Sequence, residues 1–456
     1  MMGLVSRAGL AKIPWSSFCA VGSTFSSKVI RNLTTPSSEK TSDSSSSYKF
    51  VVLGGGTGGL SMASYLSRKY PHQVAVVEPE KWHYYQSMWT LVGAGLKSKD
   101  QTMKSMSQVM PPQAKWMQEK VSNINADENF IVTESGHKVK YDFLIVALGL
   151  QLHFEKIPGL VEALDTHHVS SNYSINTVGG TFNKLQKFSG GNALFTVPTT
   201  PVKCLGAPQK IMYLAEEIFT ENGVRDNANI TFKTPAGTLF GVEKYRNSLL
   251  QVCKDRNINI DLHCNLISID PVNRKAIFEH VNDESTPKKT ETVDYNFMHV
   301  TPPMGPVDVL KSSSIVDATG FVDVDPETLQ HVKYSNIFSI GDCSNLAVSK
   351  TAAAAASQSG VLRKNITSAL NGKELTAKYN GYTSCPLVTR SNKCILAEFD
   401  YSGLPRETFP IDQGREQASM YFMKANVMPE IYWNFMLKGK WSGPERFRRL
   451  MHLGMV

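Results

Sequence analysis

An apolar run near residue 50 is followed by a cluster of glycines and then by a helical pattern. Phe50 to Leu53 predicts a short buried strand, and Leu60 to Lys69 predicts the helix after it. A second apolar run, Val74 to Val77, predicts a neighbouring strand. Strand, glycine turn, helix and strand in this order indicate a βαβ unit and an α/β fold.

The turn between the first strand and its helix has the spacing of a dinucleotide fingerprint. Gly54, Gly56 and Gly59 fit G-x-G-x-x-G, in which absent side chains allow a pyrophosphate to approach the helix N-terminus closely. Glu78 ends the second strand, about 20 residues past Gly59, where a carboxylate can accept hydrogen bonds from ribose hydroxyls. The ordered series favours a dinucleotide site over a purely structural turn.

Two later segments repeat the pattern of a strand followed by a glycine turn. The first is the apolar run at 141–149, and the second, at 334–342, ends in Gly341 and Asp342. Five alanines at 352–356 then predict a helix. These segments resemble those of two-dinucleotide-binding flavoproteins of the disulfide-reductase type. The resemblance implies that the cofactor is FAD and that Gly341 and Asp342 contact it.

The middle of the chain predicts a second Rossmann-like domain that lacks a nicotinamide site. Asn192 to Val197 has the character of a strand, but residues 198–208 contain three prolines and a lysine where a glycine-rich turn would bind a pyrophosphate. Prolines remove backbone N–H donors. We therefore expect electrons to reach FAD from a donor other than NAD(P)H.

Cys204 lies in this irregular segment and is a candidate reactive thiol. Lys203 precedes it, and Lys210 lies in the predicted helix Gln209 to Phe219. Cations and helix N-termini both lower a thiol pKa toward the reactive thiolate. Cys385 is predicted to lie in a loop entering a strand, and spacing alone does not pair it with Cys204. The other cysteines are interpreted as small buried side chains.

The composition excludes several classes of protein. The net charge of +8 over 456 residues is a mild basic excess and does not indicate nucleic-acid binding. The seven cysteines show no clustered spacing, which argues against a disulfide scaffold and against a metal site. No run of eighteen apolar residues predicts a spanning helix.

The two ends of the chain have unusual compositions. Up to Ser38, basic residues recur among serines and apolar residues without any acid, which is typical of a mitochondrial transit peptide rather than a functionless tail. Ser42 to Ser47 is expected to be a polar linker. Residues 420–456 are rich in aromatic residues, methionine and basic residues, with helices expected around Pro429 and the Gly443-Pro444 break. This pattern fits a membrane-interface anchor and fits equally an amphipathic hairpin packed on the core.

From about residue 48 onward the chain resembles the mitochondrial sulfide:quinone oxidoreductases. The resemblance rests on Pro-Val-Lys-Cys at 201–204, Tyr-Thr-Ser-Cys-Pro-Leu-Val at 382–388 and Gly-Asp-Cys-x-Asn-Leu at 341–346. It implies that Cys204 and Cys385 are the catalytic pair and form a sulfur bridge on the face of FAD opposite the quinone. Seven residues are implied to contact FAD: Gly56, Thr57, Glu78, Gln86, Val121, Asp342 and Lys350.

The resemblance also implies a reaction and a location. Hydrogen sulfide would leave a persulfide on one cysteine, two electrons would pass through FAD to ubiquinone, and the sulfane sulfur would go to glutathione or sulfite. The protein would be a peripheral protein of the mitochondrial inner membrane, on the matrix side. Two alternatives stay open: a type II NADH:quinone dehydrogenase, which requires the missing glycine-rich turn, and a non-catalytic membrane flavoprotein.

These observations predict two Rossmann-like domains, of which the FAD-binding one is discontinuous, and a C-terminal amphipathic helical segment that binds the membrane. The expected divisions are a transit peptide and linker at 1–47, the first part of the FAD domain at 48–165, the second Rossmann-like domain at 166–300, the second part of the FAD domain at 301–375, and a segment carrying the second redox cysteine and the membrane and quinone surface at 376–456.

Overall fold

The computed structural model describes residues 45–455. The predicted transit peptide, which contains Cys19, therefore lies outside the described residues. Of the predicted linker, only the last three positions are described.

The strands of the described part follow one another along the chain as β1 (Ser45–Leu53), β2 (Val74–Val77), β3 (Trp82–Tyr84), β4 (Met103–Ser105), β5 (Lys115–Met117), β6 (Val121–Asn125), β7 (Phe130–Thr133), β8 (Lys138–Val146), β9 (Gln151–Leu152), β10 (Val169–Ser170), β11 (Gly191–Thr196), β12 (Ala228–Lys233), β13 (Asn259–Asp261), β14 (Cys264–Asp270), β15 (Lys275–His280), β16 (Thr290–Asp294), β17 (Phe297–His299), β18 (Met304–Gly305), β19 (Ile337–Ser339), β20 (Thr383–Arg390) and β21 (Lys393–Phe399).

The α-helices are α1 (Thr57–Lys69), α2 (Trp89–Gly93), α3 (Met106–Val109), α4 (Leu160–Leu164), α5 (Ile175–Gln186), α6 (Ala207–Glu221), α7 (Glu243–Asp255), α8 (Asp308–Lys311), α9 (Ala352–Leu370), α10 (Ala418–Phe422), α11 (Met428–Ile431) and α12 (Glu445–Met451). Two π-helical turns, Met423–Val427 and Tyr432–Met436, adjoin α11.

The first sheet contains the apolar runs around the glycine turn. Its parallel part has the order β5-β2-β1-β8, and β19 pairs in parallel with the C-terminal half of β8. β7 and β6 extend it in antiparallel fashion. The four residues of β2 are all buried, as expected for a parallel strand with both faces covered. Because β19 comes from far downstream, two separate stretches of chain build this sheet.

The second sheet is parallel throughout and has the order β10-β17-β11-β12-β13. α6 follows β11 and packs against the β20–β21 hairpin through its apolar residues, including Ile211 and Leu214. A mixed sheet with a parallel centre and a fully parallel sheet, both with helical crossovers, confirm the predicted α/β fold.

The predicted linker is wrong over its last three residues. Ser45, Ser46 and Ser47 are the first residues of β1 and pair with Lys138, Val139 and Lys140 of β8. A parallel ladder uses backbone N–H and C=O groups, so it does not require apolar side chains. The polar composition of this stretch therefore concealed the strand.

The predicted loop around Cys385 is also wrong. Cys385 is the third residue of β20 and lies opposite Ala397 of β21. Pro386 is compatible with this strand because the hairpin has only two strands, so one side of each strand needs no ladder hydrogen bond. Pairing of β20 with β21 therefore fixes the backbone position of Cys385.

The helices expected on either side of Pro429 are joined, and the segment does not break at this residue. Residues 418–436 form one continuous helix, with a π-helical turn directly before α11, in which Pro429 lies. The proline cannot donate the normal α-helical hydrogen bond, and a wider turn accommodates the missing donor. The break comes later, between Leu437 and α12. Among residues 45–455, no helix combines the length and apolar character needed to cross a bilayer.

Candidate active site

A cavity of about 1810 Å³ lies at the carboxyl ends of β1, β8 and β19, where open α/β sheets bind their ligands. Ten of the residues predicted from the sequence line it: Gly54, Gly56, Thr57, Glu78, Gln86, Val121, Cys204, Gly341, Asp342 and Lys350. Gly59 and Cys385 do not line it. Gly59 packs so closely on the Gly54 carbonyl that a side chain has no room, so it supports the turn from behind.

Glu78, the carboxylate predicted to bind the ribose, also holds Gly55, which lies between Gly54 and Gly56. The Gly55 N–H donates to Glu78 Oε2 at 2.6 Å, and the N–H of Glu80 donates to Glu78 Oε1 at 2.8 Å. Burial raises the pKa of the Glu78 carboxyl, and these two backbone donors oppose the rise. A Cβ atom at Gly55 would stand 2.7 Å from Glu78 Cγ, so glycine is required for this approach. The arrangement fits the adenosine end of a dinucleotide.

The opposite wall of the cavity is cationic. Lys203 Nζ donates to Gln86 Oε1 at 2.6 Å, and Lys350 Nζ donates to the Ser344 carbonyl at 2.9 Å. Burial raises the pKa of the Asp342 carboxyl, against the attraction of both lysines. The first residues of α9 also line the cavity, and a helix N-terminus favours negative charge. This wall suits a phosphorylated and reducible cofactor.

The two predicted catalytic cysteines lie next to each other, and Cys204 lines this cavity. Cys204 Sγ and Cys385 Sγ are 3.7 Å apart, and both thiols are free. The Cys204 N–H donates to the Lys350 carbonyl at 2.9 Å, and the Tyr173 hydroxyl donates to the Cys204 carbonyl at 3.2 Å. Cys204 has a φ of +54°, which is uncommon outside glycine and clusters at functional sites.

Cys204 is the anionic member of the pair. A hydrogen bond from Cys385, together with the ammonium groups of Lys210 and Lys424, holds the pKa of Cys204 well below that of an ordinary thiol, although burial opposes this. Lys210 Nζ lies 3.3 Å from Cys204 Sγ. The hydrogen bond to Cys204 and burial raise the pKa of Cys385 well above the ordinary value. A thiolate at Cys204 and a thiol at Cys385 therefore describe the reduced pair.

Lys424 is a site residue that the sequence interpretation missed. It was counted among the basic residues of the tail, yet only 2% of it is exposed. Its Nζ donates to the Ser87 carbonyl at 2.7 Å, and burial lowers the pKa of Lys424 to about 8. It lies in the first π-helical turn, a feature often found at functional sites. The mainly apolar stretch around Lys424, from Tyr421 to Met428, was the sequence signal that could have indicated its burial.

Alternate residues of β20 face the Cys204 side and the cavity. Cys385 and Leu387 belong to the apolar core that the hairpin forms with α6, whereas Ser384 and Pro386 line the cavity from the other face, as alternation along a strand requires. The apolar part of the cavity lining, here called the apolar lobe, comes mainly from hairpin and C-terminal residues: Pro386, Leu396, Phe409, Met423, Val427, Met428, Ile431, Met436, Trp441 and Phe447.

Comparison with known proteins places these features in a family. Residues 48–185 match the family described as pyridine nucleotide-disulphide oxidoreductase. The mitochondrial sulfide:quinone oxidoreductase of Mus musculus is 50% identical over 409 residues, which cover 90% of each chain. This chain belongs to the sulfide:quinone oxidoreductase family. The mitochondrial sulfide:quinone oxidoreductase of Dictyostelium discoideum is 44% identical over 87% of each chain.

A solved structure of the same family name has the same fold. The sulfide:quinone oxidoreductase of Aquifex aeolicus superposes with a TM-score of 0.74 at 19% identity, over 90% of this chain and 95% of that one. The resemblance inferred from the sequence is thus confirmed. Proteins of these families are FAD-binding flavoproteins, so the FAD prediction is confirmed as well. The glycine turn, Glu78 and the cationic wall fit that cofactor.

The alternative of an NADH dehydrogenase finds no support in the loop between β11 and α6. In a nicotinamide-binding domain this loop is glycine-rich and cradles a pyrophosphate. Here it contains Pro198 and Pro201, and it carries Cys204 to the wall of the cavity. The loop therefore places a thiol where a nicotinamide-binding domain places backbone donors for a phosphate.

Proposed function

We propose that this protein is a mitochondrial sulfide:quinone oxidoreductase that oxidises hydrogen sulfide at Cys204 and Cys385 and reduces ubiquinone. The observation that carries the proposal is the 3.7 Å separation of the two sulfurs at the wall of the dinucleotide cavity. Family membership supports the same reaction. FAD, when bound in this cavity, supplies the two-electron carrier between the sulfur pair and the quinone.

The sulfur step uses the difference between the two cysteines. In the oxidised enzyme a sulfur–sulfur bond joins Cys204 and Cys385. Hydrosulfide attacks the Cys385 sulfur, so a new S–S bond forms there, the bridge breaks, and the electron pair leaves on Cys204. Lys210, 3.3 Å from Cys204 Sγ, stabilises the resulting thiolate. Cys385 then carries the persulfide and Cys204 faces the cavity as an anion.

Release of sulfur restores the pair. A small acceptor, glutathione or sulfite, attacks the outer sulfur of the Cys385 persulfide and takes it away, which leaves a thiol at Cys385. The bridge forms again when Cys204 and Cys385 together lose one proton to solvent and two electrons, which FAD held in this cavity would accept. Each cycle therefore transfers one sulfur atom to the acceptor and two electrons to the quinone.

The apolar lobe is the proposed quinone site. Its lining by Leu396, Met423 and Ile431 suits an apolar ring with a lipid tail, and it lies on the face of the hairpin away from Cys385. The same C-terminal segment exposes Phe422, Phe435 and Leu450. Basic residues adjoin these side chains, and such a surface suits a peripheral membrane interface. We place it on the matrix side of the inner membrane.

The reductant can be identified from the flavin spectrum. Anaerobic sulfide should bleach the FAD absorbance of the purified protein within one turnover, whereas NADH should leave it unchanged. Bleaching by NADH would support the dehydrogenase alternative, and a spectrum that neither compound changes would support a non-catalytic flavoprotein.

The two cysteines can be tested with a matched control. Cys204→Ser and Cys385→Ser should each lower sulfide-dependent quinone reduction by roughly 10³-fold or more, because a hydroxyl cannot form the bridge or carry a persulfide. Flavin content should be unchanged. Cys253→Ser is the control, since that thiol is buried in α7 and contacts the Tyr213 hydroxyl instead. Near-normal turnover per flavin in Cys385→Ser would contradict the mechanism.

A further inference from the structure

A buried tyrosine of the C-terminal segment is bonded to the dinucleotide turn. The Tyr432 hydroxyl lies 2.9 Å from Thr57 Oγ1 and 2.6 Å from His83 Nε2, and His83 Nδ1 lies 2.9 Å from the Gly55 carbonyl. Tyr432 is 2% exposed and His83 is 3% exposed. The ring of Tyr432 also stacks on Tyr85 with centroids 4.1 Å apart.

The chemistry of these groups determines the direction of each hydrogen bond. The Gly55 carbonyl can only accept, so His83 Nδ1 carries a proton and donates it. Burial lowers the pKa of His83 to about 4, which leaves the ring neutral and makes Nε2 an acceptor. Tyr432 must then donate to His83, and it accepts from the Thr57 hydroxyl. The proton of the Thr57 hydroxyl is therefore directed at Tyr432, and only its backbone N–H remains to face a phosphate.

The Gly55 peptide is consequently held from both sides. Its N–H is bonded to Glu78 and its carbonyl to His83. On the same face of α1 as Thr57, Ser61 and Ser64 donate to the carbonyls of Met436 and Leu437 at 2.9 and 2.6 Å. The last turns of the C-terminal helix thus contact both the glycine turn and the helix that follows it.

We propose that Tyr432 and His83 are positioning residues that orient the glycine turn for FAD, so that cofactor binding and docking of the C-terminal segment stabilise each other. The proposal rests on the assignment of FAD to this cavity but not on the sulfide chemistry. By reciprocity, if the docked segment tightens FAD binding, bound FAD must hold the segment in place by the same factor.

The first test measures FAD release from the full-length holoenzyme on dilution, followed by flavin fluorescence. Tyr432→Phe keeps the stacked ring and removes the hydroxyl, and the dissociation constant should rise by about tenfold, the range expected for lost hydrogen bonds. Tyr421→Phe is the control, because that tyrosine lies in the same segment without contacting the turn. Equal constants for the two variants would overturn the proposal.

Thr57→Val provides a second variant that keeps the fold, because valine has nearly the volume of threonine. It removes the same hydrogen bond from the other side, so the dissociation constant should rise in Tyr432→Phe and in Thr57→Val but no further in the double variant. Additive losses would show that the Thr57 hydroxyl contacts the cofactor independently, and the proposed direction of the hydrogen bonds would be wrong.

The reciprocal test measures the C-terminal segment itself. Trypsin cleavage after Lys438 or Lys440 should slow when FAD is saturating, and this protection should fall by about the same factor as FAD affinity in Tyr432→Phe. Protection equal to that of the unsubstituted protein would exclude the coupling. None of these measurements uses sulfide or quinone, so their failure would leave the proposed reaction unaffected.

Discussion

The reactivity of Cys204 depends on which of two neighbouring lysines reaches its sulfur. Lys203, adjacent in sequence, extends to Gln86, and burial lowers the pKa of Lys203 to about 8, although Asp342 opposes this. Lys210 lies in the first turn of α6 and contacts the sulfur. Burial disfavours the Lys210 ammonium, but the neighbouring sulfurs, first of all Cys204, together outweigh burial and raise the pKa of Lys210. The ion pair at the site is therefore formed by Cys204 and Lys210.

Replacing Lys210 should shift the titration of Cys204. An ammonium beside a thiolate lowers the thiol pKa, so Lys210→Met should raise the pKa of Cys204 and move its thiolate titration up by about one to three pH units. Alkylation of Cys204 by iodoacetamide, quantified on the peptide by mass spectrometry, should slow near neutral pH and recover as the pH rises.

Lys203→Met serves as the control for this shift. Both substitutions remove one cation near the cavity, but only Lys210 contacts the sulfur. The pH profile of Cys204 alkylation should therefore stay unchanged in Lys203→Met. A profile that moves equally in both variants would mean that the general field of the cavity, and not one ion pair, determines the thiolate.

The loop between β11 and α6 illustrates how an element positions a residue by steric contact. Gly206 ends the loop with a φ of −81°, a conformation that any residue adopts. A Cβ atom there would nevertheless stand 2.6 Å from Cys385 Sγ and 2.7 Å from Leu387 Cδ2. The absence of a side chain at Gly206 therefore allows the loop and the hairpin to bring the two sulfurs together.

Adding that Cβ should separate the sulfurs without loss of the cofactor. Gly206→Ala should slow sulfide-dependent bleaching of FAD by about 10- to 100-fold, because displacements near 1 Å have such effects on positioned groups. Flavin content should be retained, since Gly206 does not line the cavity proposed for FAD. Gly241→Ala is the control, because a Cβ there meets no atom within 4 Å. Unchanged bleaching in Gly206→Ala would show that the sulfurs tolerate displacement.

Elements that depend on local order could be predicted from the sequence, and contacts between distant stretches could not. Gly54, Gly56 and Glu78 belong to one βαβ unit, so their spacing alone placed them around one turn. Cys385 reaches Cys204 through pairing of β20 with β21 and packing on α6, which no local pattern encodes. Lys424 was missed for the same reason: only the packing of the C-terminal helix shows that this cation is buried.

At the scale of the whole molecule, the C-terminal segment has two different faces. One face is buried: Tyr432, Trp433 and Met436 pack in one apolar cluster with Leu60 and Tyr85. This packing agrees with the alternative that the C-terminal segment is an amphipathic hairpin packed on the core. Phe435 and Leu450 remain 50% and 70% exposed. Deleting residues 420–456 would remove both faces together, so a membrane role is better tested on the exposed side chains alone.

Replacing the exposed face should weaken membrane attachment and leave the chemistry intact. Phe435→Ser with Leu450→Ser removes apolar area that would enter the lipid interface, and binding to phosphatidylcholine–cardiolipin vesicles should fall by at least about tenfold. Sulfide should still bleach the flavin, and a short-chain soluble quinone should still be reduced. Reduction of long-chain ubiquinone held in the vesicles should drop in parallel with binding.

Val272→Ser is the matched control for this membrane experiment, because Val272 is an exposed apolar residue, 87% accessible, on the turn between β14 and β15. Its substitution removes a similar kind of surface from a different part of the molecule, so vesicle binding should stay at the level of the unsubstituted protein. If the double variant binds vesicles as well as Val272→Ser does, the exposed face of the C-terminal segment is not the membrane interface. The quinone would then have to reach the apolar lobe by another route, because that lobe is lined by the buried side of the same segment.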